Sequence, residues 1–131
     1  MDIIALADEY RAAAGLLFQR ARVGEPLSRA PARLCSIHAI ELYLNAFLRH
    51  EGETPEKIRS YLHDLSERAD PEVVGKLRLR KRTVSHLVGM SEKREYLIAR
   101  YGPELASTHS EINRLLATLD EIASKVKKAV I

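Results

Sequence analysis

Apolar residues recur at spacings of three and four along most of this chain, and no stretch alternates as a half-buried strand does. The pattern predicts an all-α protein. Ile3, Leu6, Ala7, Tyr10, Ala13, Ala14 and Leu17 share one stripe of a first helix, from about Asp2 as N-cap to about Arg22, ended by Gly24-Glu25-Pro26. A second helix, from about Ala32 to His50, is apolar nearly all round through Ile37, Ile40, Leu42, Leu44, Phe47 and Leu48, which suits the centre of a bundle. Thr54 as N-cap and Pro55 at the first helical position open a third, with Ile58, Leu62, Leu65 and Ala69 inward, before Asp70-Pro71 punctuates. A fourth is expected from Pro71 to Ser91, extending through Tyr96 to Tyr101, with Val73, Val74, Leu77, Val84, Leu87 and Val88 inward and a stop at Gly102-Pro103. The last begins at Thr108, which has capping-box spacing to Glu111, and carries Ile112, Leu115, Leu116, Leu119, Ile122, Ala123, Val126 and Val130. Short connections imply antiparallel neighbours. The expectation is therefore a single domain over residues 1–131, an up-and-down antiparallel bundle of four main helices with a short fifth.

With 46% of its 131 residues hydrophobic, the chain has the apolar content of a folded domain, and its lone Cys35 excludes an internal disulfide, which fits a reducing, cytoplasmic setting. The longest apolar runs, such as Ile3 to Ala7, fall far short of the roughly 20 residues that span a bilayer. Neither membrane association nor secretion is expected. The net charge of +3 hides an asymmetry: residues 1–70 carry 9 Lys/Arg against 11 Asp/Glu, whereas residues 71–131 carry 12 against 7. Most of the basic excess lies in Lys76-Leu77-Arg78-Leu79-Arg80-Lys81-Arg82, whose five cations have the density that draws polyanions by counterion release.

Several residues break the apolar pattern. Glu41 falls inside the stripe of the second helix, between Ile37 and Leu44 and flanked by His38 and Asn45. A carboxylate there is expected to pair with a buried cation, the alternative being a ligand-binding or catalytic role, and Arg100 of the Arg100-Tyr101 segment is the first choice of partner, with Arg33 next. Projected along one continuous fourth helix from Leu77, the residues Leu79, Arg82, His86 and Met90 share a second, outward face. That face predicts a dimer seam in which Arg82 and His86 approach their symmetry mates. His63 beside Asp64 is expected to face solvent. No His has a Glu three residues before it, so no di-iron site, and no metal or other cofactor, is expected. The six Gly form no phosphate-cradling loop.

The segments Ser36-Ile37-His38-Ala39-Ile40-Glu41-Leu42-Tyr43-Leu44-Asn45-Ala46-Phe47-Leu48, His63-Asp64-Leu65 and Ala99-Arg100-Tyr101-Gly102-Pro103 stand in an order and spacing that resembles the HEPN (higher eukaryotes and prokaryotes nucleotide-binding) family over about residues 30–103. Asn45 stands where that family usually has Lys, and a Gly precedes the Pro. The resemblance implies a helical bundle that forms a homodimer and associates with RNA or a nucleotide, often beside a nucleotidyltransferase partner. It also implies an alternative, a metal-independent endoribonuclease of toxin–antitoxin type, in which His86 would be the acid–base catalyst and Arg80 or Arg82 would hold the phosphate. Arg80 and His86 have the family's spacing but point about 120° apart, whereas Arg82 and His86 align but are spaced too closely. The reading that follows is a binding module using Lys76, Arg78, Arg80, Lys81 and Arg82, with the ribonuclease and a purely structural adaptor as its competitors.

Overall fold

The computed structural model describes residues 2–92 and 112–130, all of its regular structure being helical. α1 (Ile3–Arg20) starts where the Asp2 carboxylate accepts the Ala5 amide and ends before a turn in which Gly24 adopts a φ of +77°. A 3-10 turn (Pro26–Arg29) leads directly into α2 (Ala30–His50). α3 (Pro55–Ser60), α4 (Leu65–Arg68), α5 (Pro71–Leu77), α6 (Lys81–Glu92) and α7 (Ile112–Val130) follow.

α2 is the centre of the packing, covered mainly by α1 and α7 with α3, α4 and the 3-10 turn also against it, and it buries Ile37, Ile40, Tyr43, Leu44, Phe47 and Leu48. α7 presents Leu115, Leu119, Ile122, Ala123 and Val126 to the same core. Contacts along α1 and α2 run in opposite chain directions: the Tyr43 hydroxyl donates to Asp8 at 2.5 Å, and the Tyr10 ring meets His38 edge-on at 4.5 Å. Lys127 of α7 reaches the same Asp8 oxygen at 2.8 Å. Burial raises the Tyr43 phenol above its ordinary pKa, and its bond to Asp8 raises it further, so the hydroxyl is a permanent donor. Tyr43→Phe should cost about 0.5–1.5 kcal/mol in a denaturant melt, the net worth of one hydrogen bond, because Asp8 keeps Lys127 and the ring stays packed.

Seven α-helices stand among the described residues where four main ones and a short fifth were expected. The third expected helix is divided because Leu62 takes a φ of 52° and Asp64 then caps a new helix, accepting the Ser66 and Glu67 amides. The fourth is divided at Arg78, which takes a φ of 55° and turns the chain before α6 begins. The extension to Tyr101 and the start at Thr108 lie outside the described residues. Among those described, no helix is long and apolar enough to cross a membrane.

Candidate functional site

The basic run folds into a corner between α5 and α6. The left-handed Arg78 ends α5, the Leu79 amide donates back to Val74 O at 3.1 Å, and the Leu79 side chain is buried. The next backbone groups are fastened from α7. Glu121 accepts the Arg80 amide at 2.8 Å and the Thr83 hydroxyl at 2.5 Å, so a carboxylate from another helix caps the first turn of α6. Lys125 donates both to that carboxylate, at 2.8 Å, and to the Arg78 carbonyl. Burial on its own would raise the Glu121 pKa, but Lys125, Thr83 and the Arg80 amide together hold it below the usual carboxylate value. The consequence is geometric: the main chain at Arg78 and Arg80 is held from α7, and Arg78, Arg80, Lys81 and Arg82 are all exposed. Lys76 differs from them. It bridges Glu72 at 3.1 Å and Glu51 at 3.2 Å, which match its charge and raise its pKa.

The break at Arg78 also rephases α6. Thr83, His86, Leu87 and Met90 face inward, at spacings of three and four, and Arg82 faces solvent. His86 is 9% exposed, with Nδ1 at 2.7 Å from the Thr118 hydroxyl of α7. The expected outward face of Leu79, Arg82, His86 and Met90 therefore does not exist, because its projection assumed an uninterrupted helix. The dimer seam placed on that face is withdrawn with it. Leu79→Glu would insert a charge into the core instead of parting two subunits.

Glu41 is 8% exposed on α2, and among the described residues its arginine partner is Arg68 of α4. Arg68, 2% exposed, donates through Nη2 to Glu41 Oε1 at 3.3 Å and to Leu62 O at 2.6 Å, through Nη1 to Asp64 O at 3.0 Å, and through Nε to Asn45 Oδ1 at 2.7 Å. Burial pulls the guanidinium below its ordinary pKa, and the charges of Glu41 and Asp64 oppose that shift. The other Glu41 oxygen lies 3.1 Å from His63 Nδ1, so His63, with 41% of its side chain still exposed, keeps an open side as expected while its ring meets a buried carboxylate. Arg100 lies outside the described residues, and Arg33 is buried elsewhere on α2.

Above this network opens a cleft of about 650 Å³, walled by Lys57, Tyr61, His63, Asp64, Glu67 and Ser91 among others. Its polar groups are largely committed to the fold. Tyr61 has the Lys57 ammonium 5.9 Å and the Arg68 guanidinium 5.8 Å from its ring centre. Burial would raise the Asp64 carboxyl, but the hydroxyls of Ser66 and Ser91 and the amides that open α4 hold it low. The cleft carries both signs of charge and favours no ligand class. Among the described residues no cluster of His, Cys, Asp and Glu could hold a metal ion. Burial raises the Cys35 thiol, which makes it a poor nucleophile.

Arg68, Glu121, Thr83, Lys125 and Thr118 were not singled out by sequence reasoning, and each acts through a contact between helices. In comparisons with known proteins, no family model, no curated protein and no solved structure matches this chain.

Proposed function

We propose that this protein is a non-catalytic, HEPN-like binding module that holds RNA at the corner of Arg78, Arg80, Lys81 and Arg82. The observation that carries the reading is the way the corner is built: Glu121 and Lys125 take up backbone groups of residues 78–80 and leave the four cationic side chains exposed. A cluster of exposed cations on a fixed frame is an electrostatic footprint for phosphates. The helix pattern and the lone Cys35 add an up-and-down bundle and a cytoplasmic setting to the proposal, and the resemblance adds a homodimer and a nucleotidyltransferase as protein partner. The competing ribonuclease would need His86 at the phosphate. Its ring is buried against Thr118 while Arg82 faces solvent, so the geometry favours binding over cleavage, and the structural adaptor has no use for an exposed cationic corner.

The test is charge reversal. In a filter-binding assay at low salt, Arg80→Glu/Lys81→Glu/Arg82→Glu should weaken RNA retention by about tenfold or more, with an unchanged circular dichroism spectrum, because all three positions are exposed. Equal retention by the parent and the reversed variant would refute the proposal.

A further inference from the structure

Resting on the reading above, we infer that the ligand of the corner is a polymer of phosphodiesters held through its backbone, without regard to base, and that a mononucleotide is not a ligand. Three observations lead there.

The first is shape. A small ligand needs a concave site that encloses most of its surface. The clefts beside His63, between α2, α3 and α5, and between the start of α1 and the end of α2 have none of Arg78, Arg80, Lys81 or Arg82 in their walls. The four cations stand instead on an exposed turn and the first turn of α6. A lone nucleotide there would keep most of its surface in water, whereas a polymer adds a contact with each phosphate that passes.

The second is the chemistry of the helix start. The opening of a twelve-residue helix would ordinarily offer its amides to a phosphate, but Glu121 already takes the Arg80 amide and the Thr83 hydroxyl. The Glu121 carboxylate thus sets a buried negative charge at the helix start that opposes a phosphate there, and the four long cationic side chains are the contacts a phosphate meets. Such contacts position a backbone and carry no base identity.

The third is composition. Residues 76–85 contain no aromatic side chain, so the basic segment itself brings no ring on which a base could stack. With Lys76 matched by Glu51 and Glu72, the number of phosphate contacts is set by four residues and not by the five of the run.

Four contacts fix a salt dependence. The logarithm of the association constant should fall against the logarithm of salt concentration with a slope of about −2.8 on single-stranded RNA and about −3.6 on a duplex. The experiment is fluorescence anisotropy with labelled adenylate and uridylate homopolymers and a mixed duplex, each about 20 nucleotides long, titrated with the full chain at several salt concentrations. The two homopolymers should bind within about threefold of each other, since no base is read. Inorganic polyphosphate should displace them, and ATP at the same total phosphate should not. Arg80→Ala and Arg82→Ala should each flatten the slope by about one, while Arg59→Ala on α3 should leave it unchanged. A preference for one homopolymer of about tenfold or more, or displacement by ATP, would overturn this inference and leave RNA binding standing. Failure of every polymer to bind at low salt would overturn the binding reading itself.

Discussion

Arg68→Met is expected to destabilise the fold by about 3–5 kcal/mol, measured by denaturant unfolding, because it leaves Glu41 buried without its guanidinium. The loss extends beyond the ion pair. Arg68 also holds the carbonyls of Leu62 and Asp64, and with them the turn that lets Leu62 keep a φ of 52° while 73% exposed. Asn45 loses its donor at the same time. Glu41→Gln removes the charge and keeps the shape, so it should be destabilising but less so, since Gln still offers an oxygen to Arg68. The double variant Glu41→Leu/Arg68→Met should recover part of the loss, as a buried pair replaced as a unit leaves no uncompensated charge. A Glu41→Gln protein that melts with the parent would contradict the buried pair.

Glu121→Ala should cost about 1–3 kcal/mol and also weaken RNA binding, two effects that share one cause. The carboxylate caps α6 through the Arg80 amide and the Thr83 hydroxyl, and it anchors Lys125. Without it the first turn of α6 frays and the cations lose their fixed frame. Removing a negative charge close to the corner works in the opposite direction on affinity, so weaker binding in this variant would identify the frame as the larger contribution. The same group makes stability depend on pH. Its pKa in the fold is lowered from the ordinary 4.5, so its contribution is complete above that value and is lost as pH falls below it through the folded-state pKa. Asp8 and Asp64 are lowered as well, in each case because hydrogen bonds outweigh burial, with Lys127 and Tyr43 acting on Asp8 and the Ser66 and Ser91 hydroxyls on Asp64. Melting temperature should therefore drop on acidification below about pH 4.5, and by less in Glu121→Ala than in the parent.

The helical class, the nearly all-round apolar character of α2 and the place of Glu41 within it were readable because each depends on local periodicity. The division of the fourth helix was not. Neither Gly nor Pro marks the break, and an Arg in the left-handed region is a rare choice for which the sequence offers no signal. That one residue decided the direction of the side chains along α6, which is why His86 and Met90 moved from a supposed surface into the core. Arg68, the cation on Glu41 among the described residues, was not readable for a related reason. Arg68 sits on a helix of four residues whose existence depends on the Asp64 cap and the turn at Leu62, features of tertiary contact and not of pattern. Glu121 and Lys125 looked like the polar face of a clean amphipathic helix, and only the approach of α6 gives them a task. The basic run itself was plain in the sequence, but its division into one matched lysine and four exposed cations needed the fold.

The most direct test of the account is to follow the backbone amide NMR signals of the full chain as a uridylate oligomer is added at low salt. The account predicts progressive shifts concentrated at residues 78–83 and, more weakly, at Glu121 and Lys125, with the signals of Tyr61–Asp64 and Ser91 unmoved. Shifts centred on Tyr61–Asp64 and Ser91, with residues 78–83 silent, would contradict it.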